Sequence, residues 1–258
     1  MGKKVSKIGE ENINTFGSKM IIKEHRKYSD IDVYFPEYNW TFKHATYQSF
    51  KKGKIKCPYE KRYFGVGYLG EGKYKVSENR KLTDEFKIWH HMLQRCHDPK
   101  YHEKEPTYKD CTVEDYLLNF QHMCEWLENN YYEIPGEKMC LDKDILNKGN
   151  KIYSRDTCIF VPQRINTLFT KSDKSRGKNP IGTYQLSSGN YQVHCNDENG
   201  KPVYLGTYST EEEAFQVYKA YKEKAIKEVI DSYEGKIPEP HYSRLKDAMY
   251  NYKVEIDD

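Results

Sequence analysis

Apolar residues alternate with polar ones along the first sixty positions, in the runs KMIIKEH, DIDVYF and NWTFKHATY, with the turn signals YSD and PEYN between them. A period of two in short, turn-punctuated runs marks antiparallel strands, so a small β module is expected over residues 1–62. Its end, FKKGKIKCPYEKR, crowds Lys51, Lys52, Lys54 and Lys56 around a glycine turn, a shape suited to backbone phosphates. Tyr63 to Tyr74 (YFGVGYLGEGKY) is glycine-rich and aromatic and reads as a connector. From Leu82 the period lengthens: Phe86, Trp89, Met92 and Leu93 fall at helical spacing in FKIWHHMLQRC, with a stop near HDPK. A second helix is expected from Thr112–Glu114 onward, with Tyr116, Leu117, Phe120, Met123 and Trp126 on one side.

The stretch LDKDILNKGNKIYSRDTCIFVPQRIN (141–166) changes character again. A strand holding Asp142 and Asp144 directs both carboxylates to one face, because side chains repeat every two residues. LNKGNK is a turn in which Gly149 takes a positive φ cheaply. Thr157 to Val161 forms the returning strand, Pro162 ends it, and Pro162-Gln163-Arg164 opens a helix carrying Asn166. The unit is strand, strand, helix. Beyond it KSDKSRGKNP is polar and basic, a linker or a DNA-tracking strap over 171–182 with Lys174, Arg176 and Lys178. Then PIGTYQL, NYQVHCN and PVYLGTYS read as three strands, and a long amphipathic helix opens at Ser209 or Thr210. The tail from Ser232 is expected to be partly helical around LKDAMYNY.

The fold expected is therefore α+β. It comprises a small N-terminal β module (1–62), a helical and strand–strand–helix core (63–170), the linker (171–182), and a three-stranded antiparallel sheet packed on one helix (183–258). Composition agrees with small modules: 37% of the 258 residues are hydrophobic and 31% charged. The 24 tyrosines add rings that bury area and keep a polar tip. The net charge of +3 is unevenly spread, with 14 Lys/Arg against 7 Asp/Glu up to Arg62 and 9 against 14 from Thr183 onward. Basic character at the front end and in the linker is where a polyanion would be gripped. Seven cysteines without a CxxC pair do not make a disulfide framework. Cys96, His97, Cys111 and Cys124 could hold zinc, but their spacings match no common finger. No apolar run near 18 residues and no signal-peptide pattern occurs, so a soluble cytoplasmic protein without a membrane partner is expected.

A carboxylate and an amide oxygen at the two ends of a strand–strand–helix unit suit a hard divalent cation that keeps several waters, such as Mg²⁺ or Mn²⁺. Bound to a scissile phosphate, that cation stabilises charge on the leaving oxygen. A plain hairpin with a surface charge pair is the alternative on spacing alone.

The run LDKDIL, GNK, YS, C-x-FVP, IN, preceded by IWHHMLQRCHDP and PTYKDCTVEDYLLNFQHMCEW, resembles phage-encoded HNH (ββα-metal) homing-type endonucleases over nearly the whole chain. It is closest to the subgroup in which D-[RK]-x-D replaces the usual Asp-His. The resemblance implies that Asp142 and Asn166 are metal ligands, that Asn150 or Thr157 orders the loop between them, and that double-stranded DNA is the substrate. Lys143 stands where the common motif has a water-activating histidine, and an ammonium is a poor base. Lys143 is then assigned to phosphate or transition-state charge, and the base falls to Asp144, Tyr153 or His122. The C-terminal segment resembles the plant ethylene-response-factor (Apetala-type) DNA-binding domain at Gly182, Tyr191, Leu205-Gly206 and the T-x-E-E-A helix start. That likeness implies an outward DNA-facing sheet surface of Tyr184, Leu186, His194, Asn196 and Tyr204, without the arginines relatives carry. A metal-dependent DNA endonuclease follows, nicking one strand or cutting both as a homodimer. The alternative is a DNA-binding protein whose nuclease core has lost its base and serves as scaffold, with RNA binding a distant third.

Overall fold

The alternating runs of the first sixty residues form a four-stranded antiparallel meander in sequence order: β1 (Glu11–Ile13), β2 (Lys19–Lys27), β3 (Asp30–Phe35) and β4 (Trp40–Ala45). The computed structural model describes residues 6–169 and 179–256. Two compact units meet in the chain between Glu128 and Asn129. Met20, Ile22, Ile31, Val33 and Phe35 are fully buried on one face of the meander, and Phe50 of α1 (Tyr47–Lys51) closes over them. Thr46 starts α1 by accepting the Ser49 N–H on its hydroxyl.

The glycine-rich stretch after the meander is a packed element rather than a tether. Carbon added at Gly67 would strike Trp89 and Leu93, and at Gly70 or Gly72 the side chains of Asn119 and Gln121, so the absent Cβ atoms let this backbone approach two helices. Gln121 and the Tyr74 backbone exchange two hydrogen bonds of 2.9 and 3.0 Å. The first helix, α2 (Asp84–His97), buries Phe86, Trp89, Met92 and Leu93 as the spacing predicts, and Trp89 donates its indole N–H to Leu117 O at 2.9 Å. It stops at Asp98, whose carboxylate accepts the Lys100 N–H and starts α3 (Pro99–Lys104). The second expected helix is divided: a 3₁₀ turn (Asp115–Leu118) precedes α4 (Phe120–Asn130). Asn119 makes the break, with extended backbone (φ −84°, ψ 121°) and Oδ1 accepting the Gln121 N–H.

In the second unit β7 (Met139–Asp142) pairs antiparallel with β8 (Ile159–Pro162), Asp142 opposite Ile159, and α5 (Gln163–Leu168) follows without a break. (The two-residue strands Ser77–Glu78 and Lys81–Leu82, β5 and β6, form a hairpin before α2.) After residue 179, β9 (Thr183–Gln185), β10 (Tyr191–Asn196) and β11 (Pro202–Tyr208) form the expected three-stranded antiparallel sheet. Next comes α6 (Glu211–Asp231), capped by Thr210 and carrying three glutamates in its first turn, where the helix dipole favours them. Its first half buries Ala214, Phe215 and Tyr218 against Val193 and Cys195 of the sheet. Its second half packs Ile226, Val229 and Ile230 into another core with Ile159, Val161 and Ile165 of the β8–α5 stretch. The tail forms α7 (His241–Asn251), whose Leu245 and Met249 complete that core.

The α+β class holds. The unit boundary falls within the segment expected over 63–170: α2 belongs with the N-terminal meander, and the β7–β8 pair and α5 belong with the three-stranded sheet. Among the described residues no helix is long and apolar enough to cross a membrane.

Ile226 is fully buried in the core shared by α6 and the β8–α5 stretch. Ile226→Ala is expected to destabilise the second unit by about 2–4 kcal/mol, read as a lower denaturant midpoint with unchanged slope.

Candidate functional site

Strand β7 ends because its last side chain competes with the sheet for backbone donors. Asp142 Oδ1 accepts the N–H of Asp144 at 2.8 Å and of Ile145 at 2.7 Å, an Asx turn that bends the chain out of the ladder. The strand expected to carry both carboxylates therefore stops at Asp142, and Asp144 lies in the bend that follows. Both groups still stay together, because the turn that removes Asp144 from the strand is tied to Asp142 itself.

Burial is the chief influence on Asp142, raising its pKa to about 6, and the neighbouring Asp144 charge pushes it the same way. The two backbone N–H bonds and Lys143 oppose the rise without cancelling it. Lys143 is itself 7% exposed. Its ammonium meets Asp144 Oδ2 at 3.2 Å and lies 5.8 Å from the centre of the Tyr153 ring, which is buried. Tyr153 thus forms the wall beside Lys143, and the Asp144 carboxylate is the more accessible member of the ion pair.

The loop is closed by Gly149 (φ +81°) and Asn150. Asn150 Nδ2 donates to Lys143 O at 2.7 Å and to Ile152 O at 2.8 Å, joining the two sides of the turn. Thr157 donates its hydroxyl to Ile152 O at 2.9 Å and pairs with Ser154 at 2.7 Å. Of the two residues expected to order this loop, Asn150 spans it and Thr157 fastens its far side. Asn166 occupies the second half of α5, half-buried, on a helix that packs against both strands of the hairpin. His122 belongs to the first unit, on α4, with its ring stacked on Tyr116 at 4.4 Å.

Four of the expected site residues, Asp142, Lys143, Asp144 and Tyr153, therefore form one cluster. Its donor set suits a hard cation: a half-buried carboxylate that holds its proton to about pH 6 beside a second carboxylate is stabilised by an added positive charge. Mg²⁺ or Mn²⁺ fits oxygen ligands of this kind.

A second carboxylate cluster was not anticipated from the sequence. Asp30, Asp32 and His44 bring ligand atoms within 4.8 Å of one another, the only such group of three or more His, Cys, Asp or Glu among the described residues. Arg26 already fills its centre, pairing with Asp32 and, at 2.8 Å, with Asp30 Oδ1, while His44 Nδ1 sits 3.0 Å from the same oxygen. The guanidinium holds the Asp30 carboxyl well below the usual range. This is a compensated ion-pair network on neighbouring strands, legible in sequence only as the D-x-D of DIDVYF. Cys96, His97, Cys111 and Cys124 form no such group, and all seven cysteines are free thiols.

The expected DNA-facing residues divide by region. Lys52, Lys54 and Lys56 are exposed around Gly53, and Lys51 is exposed but paired with Glu10 at 3.1 Å. Lys174, Arg176 and Lys178 lie outside the described residues. Tyr184, His194, Asn196 and Tyr204 are all exposed on the face of the three-stranded sheet opposite Val193 and Cys195, with the His194 and Tyr204 rings 5.5 Å apart. Leu186 follows β9 and is half-buried. Comparison of the chain with protein-family models, with curated proteins and with solved structures finds no match.

The raised pKa of Asp142 has a definite consequence for stability. A carboxyl whose folded pKa lies above its unfolded value favours the fold below the unfolded pKa, and that contribution is lost as pH rises from about 4 through about 6. Asp142→Asn keeps an oxygen for the Asx turn and removes the charge. In metal-free buffer it is expected to be more stable than wild type at pH 8 by about 1–3 kcal/mol and nearly equal at pH 4, measured by urea melts at both pH values.

Proposed function

We propose that the chain is a divalent-metal-dependent DNA endonuclease of the ββα-metal class, with its reaction centre at the end of β7. The observation that carries this reading is the Asp142 turn, a half-buried carboxylate with raised pKa held against a second carboxylate on a hairpin that leads directly into the helix bearing Asn166. Asp142 and Asn166 would hold Mg²⁺ or Mn²⁺, which when bound supplies Lewis-acid stabilisation of the oxygen leaving phosphorus. Hydrolysis forms a bond from water oxygen to phosphorus and breaks the bond from phosphorus to a sugar oxygen, which leaves with the electron pair. The water proton goes to a base, and Asp144 is the best of the three candidates: it is the accessible carboxylate beside Asp142. Tyr153, buried beneath Lys143, is better suited to fixing that ammonium than to accepting a proton. Lys143 in turn orients the Asp144 carboxylate through their ion pair.

Double-stranded DNA is the partner this reading requires. The exposed Tyr184, His194, Asn196 and Tyr204 surface would contact bases, and lysines elsewhere would contact phosphates. With one centre per chain, a homodimer would be needed to cut both strands at once.

A second reading is favoured by one observation. The residue at the motif's histidine position, Lys143, is a buried cation neutralised by Asp144, as in a core retained for scaffolding in a DNA-binding protein. Supercoiled plasmid separates the two. Mg²⁺- or Mn²⁺-dependent nicking by wild type, lost in Asp142→Ala, is expected; DNA binding without nicking in either metal would favour the scaffold.

Within the nuclease reading, Asp144→Asn is expected to lower kcat by about 10²–10⁴-fold with little change in DNA affinity. Lys143→Ala should weaken cleavage more than binding, and equal losses in gel-shift and nicking assays would remove Lys143 from the reaction centre.

A further inference from the structure

The turn between β1 and β2 exposes an aromatic ring at a rigid tip. Phe16 is 50% exposed, although the backbone around it is firmly held. Gly17 N–H donates to Asn14 O at 3.0 Å, closing the turn, and Asn14 Oδ1 accepts the N–H groups of Phe16 and Ser18, both at 3.0 Å. Asn14 is itself buried, donating to Ile55 O at 3.1 Å and to the buried carboxylate of Glu60. Glu60 is paired with Arg62, which also donates to Cys57 O at 2.8 Å and sets its guanidinium 4.5 Å from the centre of the Phe16 ring. A buried polar network thus fixes the conformation of a residue whose side chain points partly into solvent. Such a network, with every member partnered, gives rigidity that a solvent-exposed turn alone does not need.

The surroundings define the partner. Thr15 N–H donates to Gly53 O at 2.9 Å, and Asn12 Nδ2 to Phe50 O at 2.7 Å, so the turn is joined to the lysine-rich segment after α1. Lys52, Lys54 and Lys56 are exposed there, and the Lys56 ammonium lies 6.0 Å from the Phe16 ring centre. From Lys51 to Arg62 six basic side chains accompany one acid, Glu60, whose charge is buried and compensated. Ile13, at the end of β1, is exposed as well, but Lys52, Lys54 and Lys56 have no carboxylate partner among the described residues, so the neighbourhood is one ring and one aliphatic side chain beside three open cations. A polyanion with stacked aromatic faces matches both features.

We propose that this tip is a DNA-binding element in which Lys52, Lys54 and Lys56 take backbone phosphates of a duplex and the Phe16 ring packs against a base step. An apolar side chain held rigidly beside phosphate-binding cations is the arrangement that lets a protein wedge a base step and bend the duplex. The inference rests on DNA as the substrate under the proposed function but not on cleavage.

The test is binding of a labelled duplex by the full-length protein in EDTA, by fluorescence anisotropy over a range of salt concentrations, with the same oligonucleotide as a single strand in parallel. Phe16→Ala is expected to weaken duplex binding about tenfold while leaving the salt dependence unchanged, since a stacking contact releases no counterions. Phe16→Tyr should restore affinity. Lys54→Gln should lower the slope of log K against log salt by about one. Wild-type affinity in Phe16→Ala, a loss confined to the single strand, or no duplex binding by the wild type would each overturn the proposal. A protein that nicks plasmid while Phe16→Ala binds normally sinks this inference and leaves the nuclease. One that binds as expected but nicks in no metal leaves this inference and sinks the nuclease.

Discussion

Helix α6 is the constraint on which the second unit is built. Over its 21 residues it serves two cores, burying Ala214, Phe215 and Tyr218 with the three-stranded sheet and Ile226, Val229 and Ile230 with the hairpin and α5. Burial of each large apolar side chain contributes about 1.5–3 kcal/mol, so neither core is complete without its half of the helix. At 1.5 Å per residue the helix is about 30 Å long, a rigid spacer between the tyrosine-bearing sheet and the Asp142 turn. On the proposed function, a DNA-contacting sheet face and a metal-binding turn joined through one continuous helix would hold a fixed spacing, which a flexible linker between two domains would not provide.

At the Asp142 turn, stability and chemistry oppose one another. Two backbone N–H bonds favour the carboxylate, yet burial and the Asp144 charge outweigh them and leave its pKa at about 6. The fold thus retains a charge that it would be more stable without, which the proposed function would explain. The Asp30, Asp32 and Arg26 network shows the contrary arrangement. There, an internal cation satisfies both carboxylates and leaves little reason for an external one to bind.

Much of this was legible in the sequence because it depends on local period. The meander followed from alternation in KMIIKEH and DIDVYF, helix α2 from Phe86, Trp89, Met92 and Leu93, and the strand–strand–helix order from Gly149 and Pro162. Features depending on a side chain's choice of backbone partner were less visible. Asn119 could have continued a helix and instead ends a 3₁₀ turn, and Asp142 could have extended a strand and instead stops it. Tertiary partnership was hidden altogether. Ala214, Tyr218, Ala225 and Val229 form one stripe along α6, and periodicity says that the stripe is buried without saying that its two halves meet different partners. The glycines of YFGVGYLGEGKY looked like freedom, whereas at Gly67, Gly70 and Gly72 their use is close approach to other side chains.

On the proposed function, charge balance at the Asp142 turn gives a lysine at position 143, in place of a histidine, a physical meaning. Histidine would vary its charge near neutral pH, while Lys143 supplies a constant positive charge, already committed to Asp144 at 3.2 Å. Counted by formal charge, two carboxylates and one ammonium sum to one net negative charge, and protonation of Asp142 removes it. On the proposed function, a divalent cation turns that single negative charge into a single positive one, and a phosphodiester returns the sum to zero. A partly buried cluster is most stable when its total charge is smallest, so metal and DNA phosphate each favour the binding of the other. Lys143 contributes to that balance by keeping the cluster one charge short of what two carboxylates alone would carry, which makes a single divalent ion and a single phosphate the matching complement.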